Sequence, residues 1–105
     1  MLLLEIGSTS GDILSMLAER GFRGIGVEVS EKAIKILERK FKGNHRIEVA
    51  KKDFFKINER FDLLLSFEVL EHVEIDKEAL RKWFDLLVYG GTLIFSVPAH
   101  KKSGV

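Results

Sequence analysis

A chain of 105 residues with 46% hydrophobic and 31% charged side chains can build one packed core and is too apolar for disorder. Its formal net charge of +1 gives no general attraction to nucleic acid, and the absence of cysteine excludes disulfides and thiolate metal sites. No apolar run approaches the roughly 18 residues of a membrane span, so the expectation is a cytoplasmic protein away from membranes.

The predicted elements alternate. Leu2 to Ile6 is a short apolar run stopped by Gly7, which reads as a buried strand. Asp12 to Arg20 sets Ile13, Leu14, Leu17 and Ala18 on one helical face, with Gly21 as the stop. Gly24 to Val29 reads as a second strand. Ser30 is an N-cap for a helix carrying Ala33, Ile34, Leu37 and Phe41 and ending at Gly43. Arg46 to Ala50 reads as a third strand, and residues 51 to 60 as a loop or short turn. Phe61 to Phe67 reads as a fourth strand, the most apolar. Asp76 is a candidate cap for a helix with Ala79, Leu80, Trp83, Phe84, Leu87 and Val88 inward and Gly90-Gly91 as its stop. Thr92 to Val97 reads as a fifth strand, closed by Pro98. Such alternation predicts an α/β domain with a parallel sheet covered on both faces.

In such a sheet, ligands bind outside the carboxyl ends of the strands, where strand order reverses. Strand one runs into Gly7-Ser8-Thr9-Ser10-Gly11, small residues that let a backbone approach a ligand. Strand two ends at Glu28, 21 positions after Gly7, where a carboxylate suits a pair of ribose hydroxyls. Strand three runs into Asp53-Phe54, an acceptor and a flat ring that fit an adenine amino group and its base. Strand four ends at Ser66-Phe67-Glu68. Each feature alone has a plain reading: a tight turn, a solvated strand end, a core aromatic. Four strand ends carrying ligand-suited groups at one rim favour a binding site.

Together these segments resemble the class I S-adenosylmethionine-dependent methyltransferases. Leu3 through Gly11, with Glu5 before the glycine-rich turn, is similar to their first motif. Gly26-Val27-Glu28-Val29-Ser30 is similar to the second, Lys52-Asp53-Phe54 to the third, and Gly90-Gly91-Thr92-Leu93-Ile94 to the turn into strand five. Phe61-Asp62 through Phe67-Glu68-Val69-Leu70-Glu71-His72-Val73 is similar to the fourth-strand signature of ubiquinone-type and other small-molecule O-methyltransferases. The resemblance implies a Rossmann-like three-layer αβα sandwich, a mostly parallel sheet of order 3-2-1-4-5, and S-adenosylmethionine as cofactor. It implies cofactor contacts from Glu5, Gly7, Ser8, Gly11, Glu28, Val29, Asp53, Phe54 and Phe67, and methyl transfer to an oxygen of a small-molecule acceptor.

The sequence departs from that pattern in two places. Thr9 stands where the family usually has glycine, and the strands that normally follow strand five are missing. Residues 1 to 105 are therefore expected to form a single truncated or minimal domain. Its strand-five edge is expected to pair with a second copy or a partner chain.

Glu68, Glu71 and His72 have the spacing that shares one helical face. Three readings stay open for them. They form a Mg²⁺ or Mn²⁺ site, as in the similar motif of small-RNA 2′-O-methyltransferases. Alternatively, His72, with Glu68, is the general base of the reaction, or the acids cap a helix start. A non-catalytic cofactor- or partner-binding domain is the competing function. A nicotinamide oxidoreductase fits less well, because the Gly-x-Gly-x-x-Gly turn is absent.

Overall fold

The computed structural model describes residues 1–8, 10–67 and 77–95. Their elements are β1 (Leu2–Ile6), α1 (Asp12–Glu19), β2 (Arg23–Glu28), α2 (Glu31–Lys40), β3 (Ile47–Lys51), a 3₁₀ turn (Phe54–Lys56), β4 (Phe61–Ser66), α3 (Lys77–Asp85) and β5 (Leu87–Phe95). All strand pairs are parallel, and the sheet order is β3-β2-β1-β4-β5, as the resemblance implied.

Why β1 is apolar at nearly every position follows from its place at the centre of the sheet. Successive side chains alternate between faces. Leu4 and Ile6 join a core with Val27, Phe61, Leu64 and Trp83. Leu3 joins a second core with Leu14, Leu37, Phe41 and Leu65. Helices α1 and α2 therefore cover one face, while α3 and the segment around Ile57 cover the other. At the amino end of β1, the Leu2 N–H donates to Asp62 Oδ2 at 2.9 Å, which helps set the β1–β4 register.

The helix ends follow the local chemistry of the sequence. After α1, the Phe22 N–H bonds the Leu17 carbonyl and the Gly21 N–H bonds the Ala18 carbonyl, a Schellman pair. Ser30 Oγ accepts the Ala33 N–H and starts α2. Close packing of α1 on β2 requires Gly26, since a Cβ there would lie 2.6 Å from Leu14 Cδ1.

Helix α3 and strand β5 depart from expectation. The helix ends at Asp85, and Leu87 and Val88 open the strand rather than close the helix. The reason is pairing: the Phe61 N–H bonds the Leu86 carbonyl at 2.7 Å, and Leu87 stands opposite Phe61. A bulge then takes up the residues around Gly90-Gly91 before Thr92 meets Leu63. Phe84, expected inward, is 62% exposed, because the buried stripe runs through Ala79 and Trp83. The proposed Asp76 cap and the predicted strand end at Val97-Pro98 lie outside the described residues. No helix among the described residues is long and apolar enough to cross a membrane.

Candidate functional site

Strand order reverses at β1, which has β2 on one side and β4 on the other. Beyond the carboxyl end of β1, the Gly7 N–H bonds the Val27 carbonyl at 2.9 Å, drawing the chain toward β2. Gly7 and Gly11 both hold positive φ, 78° and 75°, which a side chain at either position would strain. Between them, Ser8 is buried and its hydroxyl donates to Glu5 Oε1 at 3.0 Å, tying the turn to a buried carboxylate. Thr9, which stands where the family usually has glycine, lies outside the described residues.

Glu28 ends β2. Its Oε1 accepts the N–H groups of Val29, at 3.1 Å, and Ser30, at 3.4 Å, so local backbone holds the carboxylate by one oxygen. At the end of β3, the Lys52 N–H bonds the Glu28 carbonyl at 3.1 Å. Asp53 then turns the chain, its Oδ1 accepting the Phe55 N–H at 3.0 Å. That turn presents the Phe54 ring, which stacks on Phe55 at 4.5 Å and leans on Trp83 at 5.7 Å.

These groups line a cleft of about 230 Å³ whose walls include Gly7, Glu28, Val29, Lys52, Asp53 and Phe54. A second hollow of about 80 Å³ is lined by Glu5, Gly7, Ser10, Gly11, Asp12, Ile13 and Phe67. Gly7 borders both, so the two form one track along the rim. A larger hollow of about 560 Å³ lies at the opposite, amino end of the strands, beside Met1, Arg23, Arg46 and Glu48. Size therefore does not select the site. The topological rule and the residue chemistry do.

Of the expected cofactor residues, Gly7, Glu28, Val29, Asp53 and Phe54 meet in the larger part of the track, and Glu5, Gly7, Gly11 and Phe67 in the smaller. Ser8 lines neither and acts from beneath, through Glu5. Glu68, Glu71 and His72, named as catalytic or metal residues, lie outside the described residues. Among the described residues, no group of three His, Cys, Asp or Glu side chains is placed to hold a metal ion.

Sequence reasoning named Lys52 only as part of the third motif, without a role, and read Trp83 only as an inward residue of its helix. Trp83 does pack α3 on the sheet, yet it also supports the Phe54 ring from below. It missed the role of Lys40 too, whose ammonium meets Asp12 Oδ1 at 2.6 Å and the Ser10 carbonyl at 2.9 Å. That ammonium holds the exposed Asp12 carboxyl below its ordinary value of 3.8, by hydrogen bond first and charge second. Among the described residues, two buried polar atoms, Ser66 Oγ and Trp83 Nε1, have no hydrogen-bond partner.

Comparison with known proteins agrees with this fold. The sequence profile of a family described as a methyltransferase domain matches residues 4–95. A ribosomal protein L11 methyltransferase from Dictyoglomus turgidum is 36% identical over 72 residues, covering 65% of this chain and 24% of that protein. A putative S-adenosyl-L-methionine-dependent methyltransferase from Methanococcus maripaludis superposes with TM-score 0.81 at 22% identity, over 91% of this chain and 47% of that one. Coclaurine N-methyltransferase bound to N-methylheliamine and S-adenosylhomocysteine superposes with TM-score 0.79 at 22% identity, over 90% and 30%. A putative methyltransferase in complex with the Haloferax volcanii Trm112 methyltransferase activator gives TM-score 0.78 at 22% identity, over 91% and 44%. At these identities the superpositions speak to the fold. The chain spans about a quarter of the curated relative and less than half of each of these solved chains.

Proposed function

The chain belongs to the methyltransferase domain family, and from that premise we propose that it binds S-adenosylmethionine along the carboxyl rim of its sheet and transfers the methyl group to a small-molecule oxygen. One observation carries this reading: Gly7, Glu28, Val29, Asp53 and Phe54, from three strand ends, line a single cleft. The fit is chemical. Glu28 offers Oε2 to ribose hydroxyls, Asp53 offers an acceptor to an adenine amino group, and Val29 and Phe54 offer apolar surface to the base. The smaller hollow, with Glu5, Gly11 and Phe67, receives the amino-acid end.

S-adenosylmethionine, when bound, supplies a methyl carbon activated by its positive sulfur. The work left to this chain is alignment and the exclusion of water, which can replace much of the entropy cost of bringing two reactants together. An oxygen nucleophile also has to lose its proton. We assign that step to His72 aided by Glu68, on the strength of the fourth-strand motif they share with small-molecule O-methyltransferases. The choice of a small-molecule oxygen as acceptor rests on that same motif, which resembles that of ubiquinone-type O-methyltransferases. The outer edge of β5 is proposed to pair with a second copy or a partner chain. The support is its place at the sheet margin and the exposed Tyr89 and Ile94 on it.

Calorimetric titration of the chain with S-adenosylhomocysteine, and separately with NAD, tests the reading. Heat with the first and none with the second is expected. The chain's single tryptophan reports the same event, because Trp83 touches the cleft-lining Phe54. Silence of both signals at saturating S-adenosylhomocysteine would remove the assignment.

A further inference from the structure

The glycine-rich turn is held from behind by an element that contributes nothing to the track itself. Gly11 lies hard against the end of α2: a Cβ there would come within 2.7 Å of Phe41 Cε2 and 2.9 Å of Leu37 Cδ2. From the same helical turn, Lys40 Nζ reaches across to the Ser10 carbonyl at 2.9 Å and Asp12 Oδ1 at 2.6 Å. One ammonium thus bonds both residues that flank Gly11. Ser10, Gly11 and Asp12 all line the smaller hollow.

We infer that Lys40 is a positioning residue for the cofactor track, holding residues 10 to 12 in the shape that the amino-acid end of S-adenosylmethionine requires. The inference rests on the reading of the rim as that cofactor's site. The physics favours an effect on affinity over one on folding. The ion pair is open to water, with side-chain exposures of 33% for Lys40 and 79% for Asp12, and pairs of that kind add little to stability. A turn flanked by glycine has many shapes to lose, and a ligand that must order it binds more weakly. Tethering the turn in advance removes that loss from the binding step.

The test uses the full chain as wild type, Lys40→Met and Lys40→Arg. The methionine variant keeps the apolar stem and removes the charge. Its affinity for S-adenosylhomocysteine by calorimetry is expected to fall roughly three- to tenfold, in line with the loss of two charge-assisted bonds at a partly solvated site. Lys40→Arg is expected to recover most of that loss, and the melting temperature of the ligand-free chain to stay nearly constant. Rising salt should weaken wild-type binding toward the Lys40→Met value while leaving the variant flat. In the ligand-free chain, amide exchange across Asp12–Ser15 should quicken in Lys40→Met while that of β2 holds. Equal affinities of wild type and Lys40→Met, or equal exchange, overturn the inference alone. Absence of heat with the wild-type chain overturns the reading of the rim and takes the inference with it.

Discussion

On the proposed reading of the cleft, Glu28 is the residue on which recognition of the nucleoside most depends. Its two recorded hydrogen bonds go to exposed N–H groups of the next two residues, so folding asks little of it. Hydrogen bonds between a carboxylate and ribose hydroxyls are each worth about 1.5–3 kcal/mol. Glu28→Ala is therefore expected to weaken S-adenosylhomocysteine binding about 10- to 100-fold, with Glu28→Gln between that and wild type. Calorimetry checks the affinity, and an unchanged thermal transition checks that the fold is spared. Asp12 offers a second test at this scale. Lys40 depresses its carboxyl pKa, so the Asp12–Lys40 bridge is intact above the ordinary value of 3.8 and is lost only as pH falls through the depressed one. An NMR titration of the Asp12 carboxyl carbon should show a midpoint below 3.8 that moves upward in Lys40→Met.

Among the elements, α3 carries the largest packing consequence. Trp83 is fully buried between Phe54 and Phe95, with ring centroids 5.7 and 5.8 Å away, yet its indole N–H has no partner among the described residues. Removing the whole side chain opens a cavity, and Trp83→Ala should cost about 3–5 kcal/mol in urea unfolding followed by circular dichroism. Trp83→Phe also loses volume but removes the unpaired N–H, whose burial costs about 1–3 kcal/mol, so it should be far milder. The helix also shows where sequence reading stops. Ser30, Gly21 and the apolar run of β1 were legible because each effect is local: a hydroxyl caps a helix, a glycine ends one, a doubly covered strand is apolar throughout. The end of α3 was not, because Leu87 and Val88 fit a helical stripe as well as a strand. Pairing with Phe61, distant in sequence, decides between the two. The same contrast divides the site. Gly7, Glu28 and Asp53 could be found by asking what stands at each strand end, whereas the role of Lys40 appears only once α2 has packed against the turn.

At the scale of the whole sheet, the described residues place two strands, β3 and β5, at its margins. Tyr89 and Ile94 on β5 are exposed, as is Phe84 in the neighbouring helix. An open strand edge with apolar side chains favours pairing with another chain. Sedimentation equilibrium is expected to show a concentration-dependent dimer, which Ile94→Lys abolishes without lowering the melting temperature. A monomer at all concentrations would dismiss that edge as a contact surface for a second copy.

The central position of β1 also bears on how the chain comes to be folded. This strand precedes both of its neighbours, β2, paired from Arg23, and β4, paired only from Leu63. During synthesis one flank of β1 closes early, while the other stays bare until some forty further residues have left the ribosome, at about 5–20 residues per second. For those seconds the most apolar strand of the first half is a half-zipped ribbon. Completion of the sheet is a late, long-range event, and nascent chains stalled before β4 should be the species that chaperones capture.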